Sequence, residues 1–114
     1  MESIMPLFDG EVSEQAKRDG MLRAAASRKL MLLDAQRVAI ILAMRDGEVN
    51  ADDVVQWYAN HAIDLTAKLG NAMGSLFRGS EWQWTGKFIK SARLHAHSNL
   101  LRVWCLRAMS EATA

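Results

Sequence analysis

The chain has 114 residues, half of them hydrophobic, with seven glycines and one proline. That is enough apolar material for one domain with a real core, and it excludes a low-complexity or disordered chain. Fourteen Lys/Arg against thirteen Asp/Glu leave a net charge of +1, and the single Cys105 excludes an internal disulfide and fits a reducing compartment.

The longest apolar run, 38–44, is far shorter than the ~20 residues that span a bilayer. Glu2 and Asp9 stand where a secretory leader would be basic. The expectation is a soluble cytoplasmic protein. The small net charge conceals an uneven distribution. Residues 1–66 carry seven Lys/Arg and eleven Asp/Glu, a balance of −4, whereas residues 67–107 carry seven Lys/Arg against Glu81 alone, a balance of +6. A concentrated positive segment is what a polyanion partner selects, and it is equally what an ordinary solvated face looks like.

In chain order, residues 1–12 read as an arm, with an apolar patch at Met5-Pro6-Leu7-Phe8 and a turn signal at Asp9-Gly10. Ser13 is a suitable N-cap for a first helix, in which Ala16, Gly20 and Ala24 form a stripe of small side chains. Ser27 is a suitable cap for the next, which is apolar on most sides from Leu30 to Met44 and stops at Asp46-Gly47. Ile41 and Leu42 are placed in its core. Glu48-Val49 reads as a short extended piece. Asn50 then caps a helix with Asp52 and Asp53 in its first turn and an apolar face at Val54, Trp57 and Tyr58.

After a connection at 61–64, the spacing predicts a third helix from Leu65 to Arg78. Its apolar side is opposed by a polar stripe at Lys68, Asn71, Ser75 and Arg78. Beyond Gly79 the period falls to two. Trp82 and Trp84 open a strand with a turn at Thr85-Gly86, 92–99 is a polar loop, and Leu100 to Arg107 is a second strand. On that strand Leu101, Val103 and Cys105 face one way, and Arg102 and Trp104 the other. Phe77, Trp82, Trp84 and Phe88 are expected mostly to cover the core. Three helices followed by a hairpin is the order of a winged helix.

The run from Gly47 to Trp104 also resembles small phage-encoded winged-helix proteins of replication or regulatory gene clusters. The resemblance rests on Gly47-Glu48-Val49-Asn50-Ala51-Asp52-Asp53-Val54, Gly74-Ser75-Leu76-Phe77-Arg78, Thr85-Gly86-Lys87, Ser91 with Arg93, and Arg102-Val103-Trp104. It covers about half the chain. It implies a DNA-related role and leaves the first 30 residues as an extension.

Candidate chemistry is weighed against plainer explanations. Arginine bridges a guanine edge or clamps phosphate, asparagine reads adenine and lysine neutralises phosphate, so the 68–78 stripe is either a recognition face or an exposed helix side. Lys87, Lys90 and Arg93 in the same basic segment tilt the balance toward nucleic acid. Trp82 and Trp84 form either a stacking platform or a seam between hairpin and helices. His95 and His97 with Cys105 are too few for a structural zinc site and suit phosphate contact near a wing tip. No nucleophile, base and orienting acid fall together, and no phosphate-binding glycine loop occurs, so neither an enzyme nor a cofactor is expected.

The expected architecture is mainly α with a C-terminal β-hairpin, a winged helix-turn-helix with an N-terminal helical extension. Residues 1–28 form an arm and helix, 29–107 the domain and 108–114 a tail. The expected function is non-enzymatic binding of double-stranded DNA through Lys68, Asn71, Ser75, Arg78, Lys87, Lys90, Arg93, His95 and His97. The alternative is a protein-interaction module, such as a phage inhibitor or adaptor of a host protein, or a homodimer formed through residues 5–27.

Overall fold

The computed structural model describes residues 9–93 and 100–113. Helix α1 spans Asp9–Asp46, α2 Ala51–Ala59 and α3 Leu65–Leu69. A 3-10 turn follows at Gly70–Ser75, then strands β1 Trp82–Lys90 and β2 Leu100–Leu106, and helix α4 Arg107–Thr113. The protein is therefore mainly helical with an antiparallel C-terminal hairpin. Among the described residues no helix is long and apolar enough to cross a membrane.

The two helices expected before Gly47 are one. Ser27 lies mid-helix and caps nothing. A serine there costs only a few tenths of a kcal/mol, and Ala24 to Ala26 on one side and Arg28 to Leu33 on the other are strong helix formers. Asp9-Gly10 begins the helix rather than turning ahead of it. The chain is elongated as a result: its radius of gyration is 19.8 Å, against about 13 Å for a compact chain of this length.

Only the C-terminal half of α1 enters the core. Ala35, Val38, Ala39, Leu42 and Ala43 are buried there. The small side chains recurring every four residues at 35, 39 and 43 let α2 and α3 come close. The Ala16-Gly20-Ala24 stripe, in contrast, is exposed. Ile41, expected in the core beside Leu42, is 60% exposed. One residue of helix rotation, about 100°, carries it to the outer side.

Asn50 caps α2 through a full capping box. Its side chain accepts from Asp53 N at 3.1 Å, and Asp53 Oδ2 accepts from Asn50 N at 3.0 Å. Val54 and Tyr58 fill the underside. Asp64 caps α3, accepting from Ala67 N at 3.2 Å. That helix is much shorter than expected. Gly70 takes φ 54 and ψ −127, a left-handed conformation in which glycine pays no Cβ penalty, and the α ladder ends there. Leu65, Leu69 and Leu76 still reach the core.

Val49 exchanges two 2.8 Å backbone hydrogen bonds with Trp104, adding a one-residue third strand beside β2. Within the hairpin Trp84 pairs with Trp104 and Phe88 with Arg102, so residues 85–87 oppose Val103 alone. The expected turn at Thr85-Gly86 is therefore a bulge inside β1. Gly86 takes φ 88, and the Thr85 hydroxyl donates to Val103 O at 2.9 Å while accepting from Lys87 N at 3.2 Å. Residues expected as a tail form α4, whose helix formers follow directly on β2.

Tyr58 is the chain's single tyrosine. Its ring is buried and its hydroxyl donates to the Asp34 carboxylate of α1, tying α2 to α1. Burial first, and then the hydrogen bond and charge of Asp34, raise the phenol above its ordinary value. A raised folded-state value means the stabilisation is full below about pH 10 and is lost as pH rises beyond it. Alkaline difference absorbance near 295 nm is expected to show phenolate only together with loss of the native circular dichroism. A reversible phenolate signal near pH 10 in folded protein would show that the contact is absent. Tyr58→Phe is expected to cost about 1 kcal/mol at neutral pH.

Candidate nucleic-acid interface

Leu76 is fully buried and anchors the segment after the 3-10 turn, which sets Phe77 against the hairpin. Phe77 meets Trp82 edge-on at 5.0 Å and stacks on Trp104 at 5.7 Å with a 13° angle between rings. An open cleft of about 460 Å³ lies beside this stack. Met73, Phe77 and Trp104 form its apolar wall, and Arg78, Arg93 and Arg102 are among the residues that line it.

The three arginines are held differently. Arg78 has no side-chain partner among the described residues and is exposed. Arg93 is half-buried, and its Nε lies 2.6 Å from Asp52 Oδ1. Arg102 lies over the Trp84 ring, 4.9 Å from its centroid. Asp52 does more than favour the α2 dipole. It accepts from the Ser91 hydroxyl at 3.0 Å and from Ala92 N at 2.8 Å, fastening the outgoing end of β1 to the start of α2. Ser91 is buried in that joint and its hydroxyl also accepts from Arg93 N at 3.2 Å.

The expected binding residues do not form one patch. Arg78 and Arg93 share the cleft. Asn71 lines a different one, of about 490 Å³, opposite Arg28 of α1. Lys68 is exposed on α3 and Lys90 on the last position of β1. Ser75 is half-buried, and its carbonyl accepts from Gln36 Nε2 at 3.0 Å. Lys87 is ion-paired with Glu48 at 2.7 Å. His95 and His97 lie outside the described residues. The single stripe expected from Lys68 to Arg78 required an unbroken α-helix, and the left-handed Gly70 divides it.

Arg102 was absent from the expected set although the period-two reading placed it on the same face as Trp104. That shared face was the available signal. The aromatic expectation holds for Trp82, which is 3% exposed, and half holds for Phe77. Trp84 and Phe88 are exposed, meeting edge-on at 5.1 Å beneath Arg102. The bulge between them turns both rings away from the core. The Trp84 indole donates to Lys87 O at 3.0 Å, which fixes its orientation. No protein-family model, curated protein or solved structure matches the chain.

Proposed function

We propose that the protein is a winged-helix DNA-binding module that seats phosphates of a duplex across the cleft between the 3-10 turn and the hairpin. The observation that carries this reading is the convergence of Arg78, Arg93 and Arg102 on one open cleft walled by Phe77 and Trp104. Guanidinium groups match phosphate oxygens in pairs, and only Arg93 is already engaged by a carboxylate. The order of elements supports the same reading: a helix, a one-residue strand at Val49, two short helices joined by a turn, and a hairpin flanking them. Such a module fits the replication or regulatory role that the resemblance implies.

With five residues in α3, base reading by a long recognition helix is not the main source of affinity. Phosphate contacts supply most of it, and preference among sequences is weak. Lys68 and Lys90, exposed outside the cleft, are further cations open to phosphate.

The test is fluorescence anisotropy of a labelled duplex of mixed sequence at about 50 mM salt, where phosphate contacts are strong. Binding in the micromolar range is expected. Arg78→Ala combined with Arg102→Ala is expected to weaken it by at least about tenfold, and Lys29→Ala, on the projecting part of α1, to leave it unchanged. Absence of duplex binding would hand the protein to the interaction-module reading. Preferential binding of single strands would instead move the contact to the exposed Trp84 and Phe88 rings.

A further inference from the structure

Two exposed aromatic rings lie side by side on the hairpin. Trp84 is 39% exposed and Phe88 49%, and they meet with centroids 5.1 Å apart. The register puts them on one face. Trp84 pairs with Trp104 and Phe88 with Arg102, and side chains that are paired across strands, or two apart along one, share a face. Trp104 and Arg102 both line the cleft. The cleft wall and the two rings are therefore neighbours on one surface.

The Trp84 ring is held in place. Arg102 stands over it, and its indole N–H is engaged by Lys87 O at 3.0 Å. What Trp84 and Phe88 have left to offer a ligand is ring surface, with no polar group to choose among partners. The charge around them has one sign. Strands β1 and β2 hold Lys87, Lys90 and Arg102 and no carboxylate, and the partner of Lys87, Glu48, comes from outside the hairpin. Ring surface set among cations binds unpaired nucleic-acid bases and tolerates any of them.

We propose that Trp84 and Phe88 stack an unpaired base beside a duplex seated in the cleft, so that the preferred DNA is a junction between duplex and single strand. This rests on the duplex reading of the cleft and specifies its substrate. Within a duplex each base is covered by its neighbours in the stack, and these rings find no free face there. An unpaired base has one. A phosphate held at Arg102 brings its own nucleoside beside the rings that Arg102 borders.

Fluorescence anisotropy at about 50 mM salt tests it, with far-UV circular dichroism to check that each variant is folded. The probes are an uninterrupted duplex, the same duplex with a central gap of about four unpaired thymidines, and the same gap filled with abasic residues. Abasic residues keep the phosphates and remove the bases. The thymidine gap is expected to bind about tenfold tighter than the abasic gap. Phe88→Leu and Trp84→Leu, which keep an apolar side chain without a ring of that size, are each expected to reduce that ratio to within about threefold of one, and Trp84→Phe to keep most of it. Because the readout is a ratio, any shift of Arg102 in the Trp84 variants cancels. Equal affinity for the two gaps, with the uninterrupted duplex still bound through Arg78, would overturn the inference and leave the cleft reading standing. A ratio that survives both Leu substitutions would overturn it too, since the base would then lie elsewhere. Failure to bind the uninterrupted duplex would remove the cleft reading and this inference with it.

Discussion

Leu42→Ala is expected to lower the free energy of unfolding by about 2–5 kcal/mol. Leu42 is 3% exposed and lies between Ala39 and Ala43, both fully buried where α1 meets α2 and α3. Small neighbours leave little side chain able to move into the space that the lost isobutyl group vacates. The cavity therefore persists, and the cost falls toward the upper part of the range. Ile41→Ala is the sharper control. It removes as much hydrocarbon one position away, but from a side chain that is 60% exposed, and it is expected to cost well under half as much. Lys90→Ala is expected to stay within about 0.5 kcal/mol. Urea unfolding at one fixed protein concentration measures all three. Equal effects at 41 and 42 would mean that α1 is rotated from the orientation described.

The contrast between 41 and 42 shows what the sequence carried and what it did not. Local signals were legible. The Asn50 cap with Asp53, the stop at Gly47 and the change of period after Gly79 each depend on a few neighbouring residues, and each stands in the structure. The uniformly apolar stretch around Ile41 contained no such signal. With apolar residues on both sides of a helix, periodicity does not say which side meets the body.

Ser27 was ambiguous because a serine suits a cap but is tolerated inside a helix of strong formers. The shortening of α3 depended on whether Gly70 would take a positive φ, which its neighbours in sequence do not decide. The bulge at Thr85-Gly86 depended on pairing with Val103, eighteen residues away. The candidate site divides in the same way. Arg78 was legible from helix spacing. Arg93's engagement by Asp52 and Lys87's by Glu48 are contacts across about 40 residues that no local pattern encodes.

Those two ion pairs set the largest functional effect expected, the salt dependence of duplex binding. Seven cations lie in the 67–107 segment, but Lys87 and Arg93 already face carboxylates. Arg107 is held by the backbone, donating to Ser80 O and Trp82 O at 3.1 Å. Lys68, Arg78, Lys90 and Arg102 remain for phosphate. Neutralising four phosphates gives a slope of log affinity against log salt of roughly −3 to −4, so raising salt from 50 to 200 mM is expected to weaken binding by about 10²-fold. Arg78→Ala and Arg102→Ala are each expected to make the slope shallower by about one and to weaken all sequences alike. Lys87→Ala is expected to change it by less, since Glu48 already compensates that charge. Asp52→Asn provides a test in the opposite direction: it frees Arg93 for phosphate, so the slope should steepen by up to about one even if the joint with Ser91 loosens and stability falls. A titration series across four salt concentrations reads all five slopes. A slope near zero, or one that ignores Arg78 and Arg102, would remove the cleft from the DNA contact.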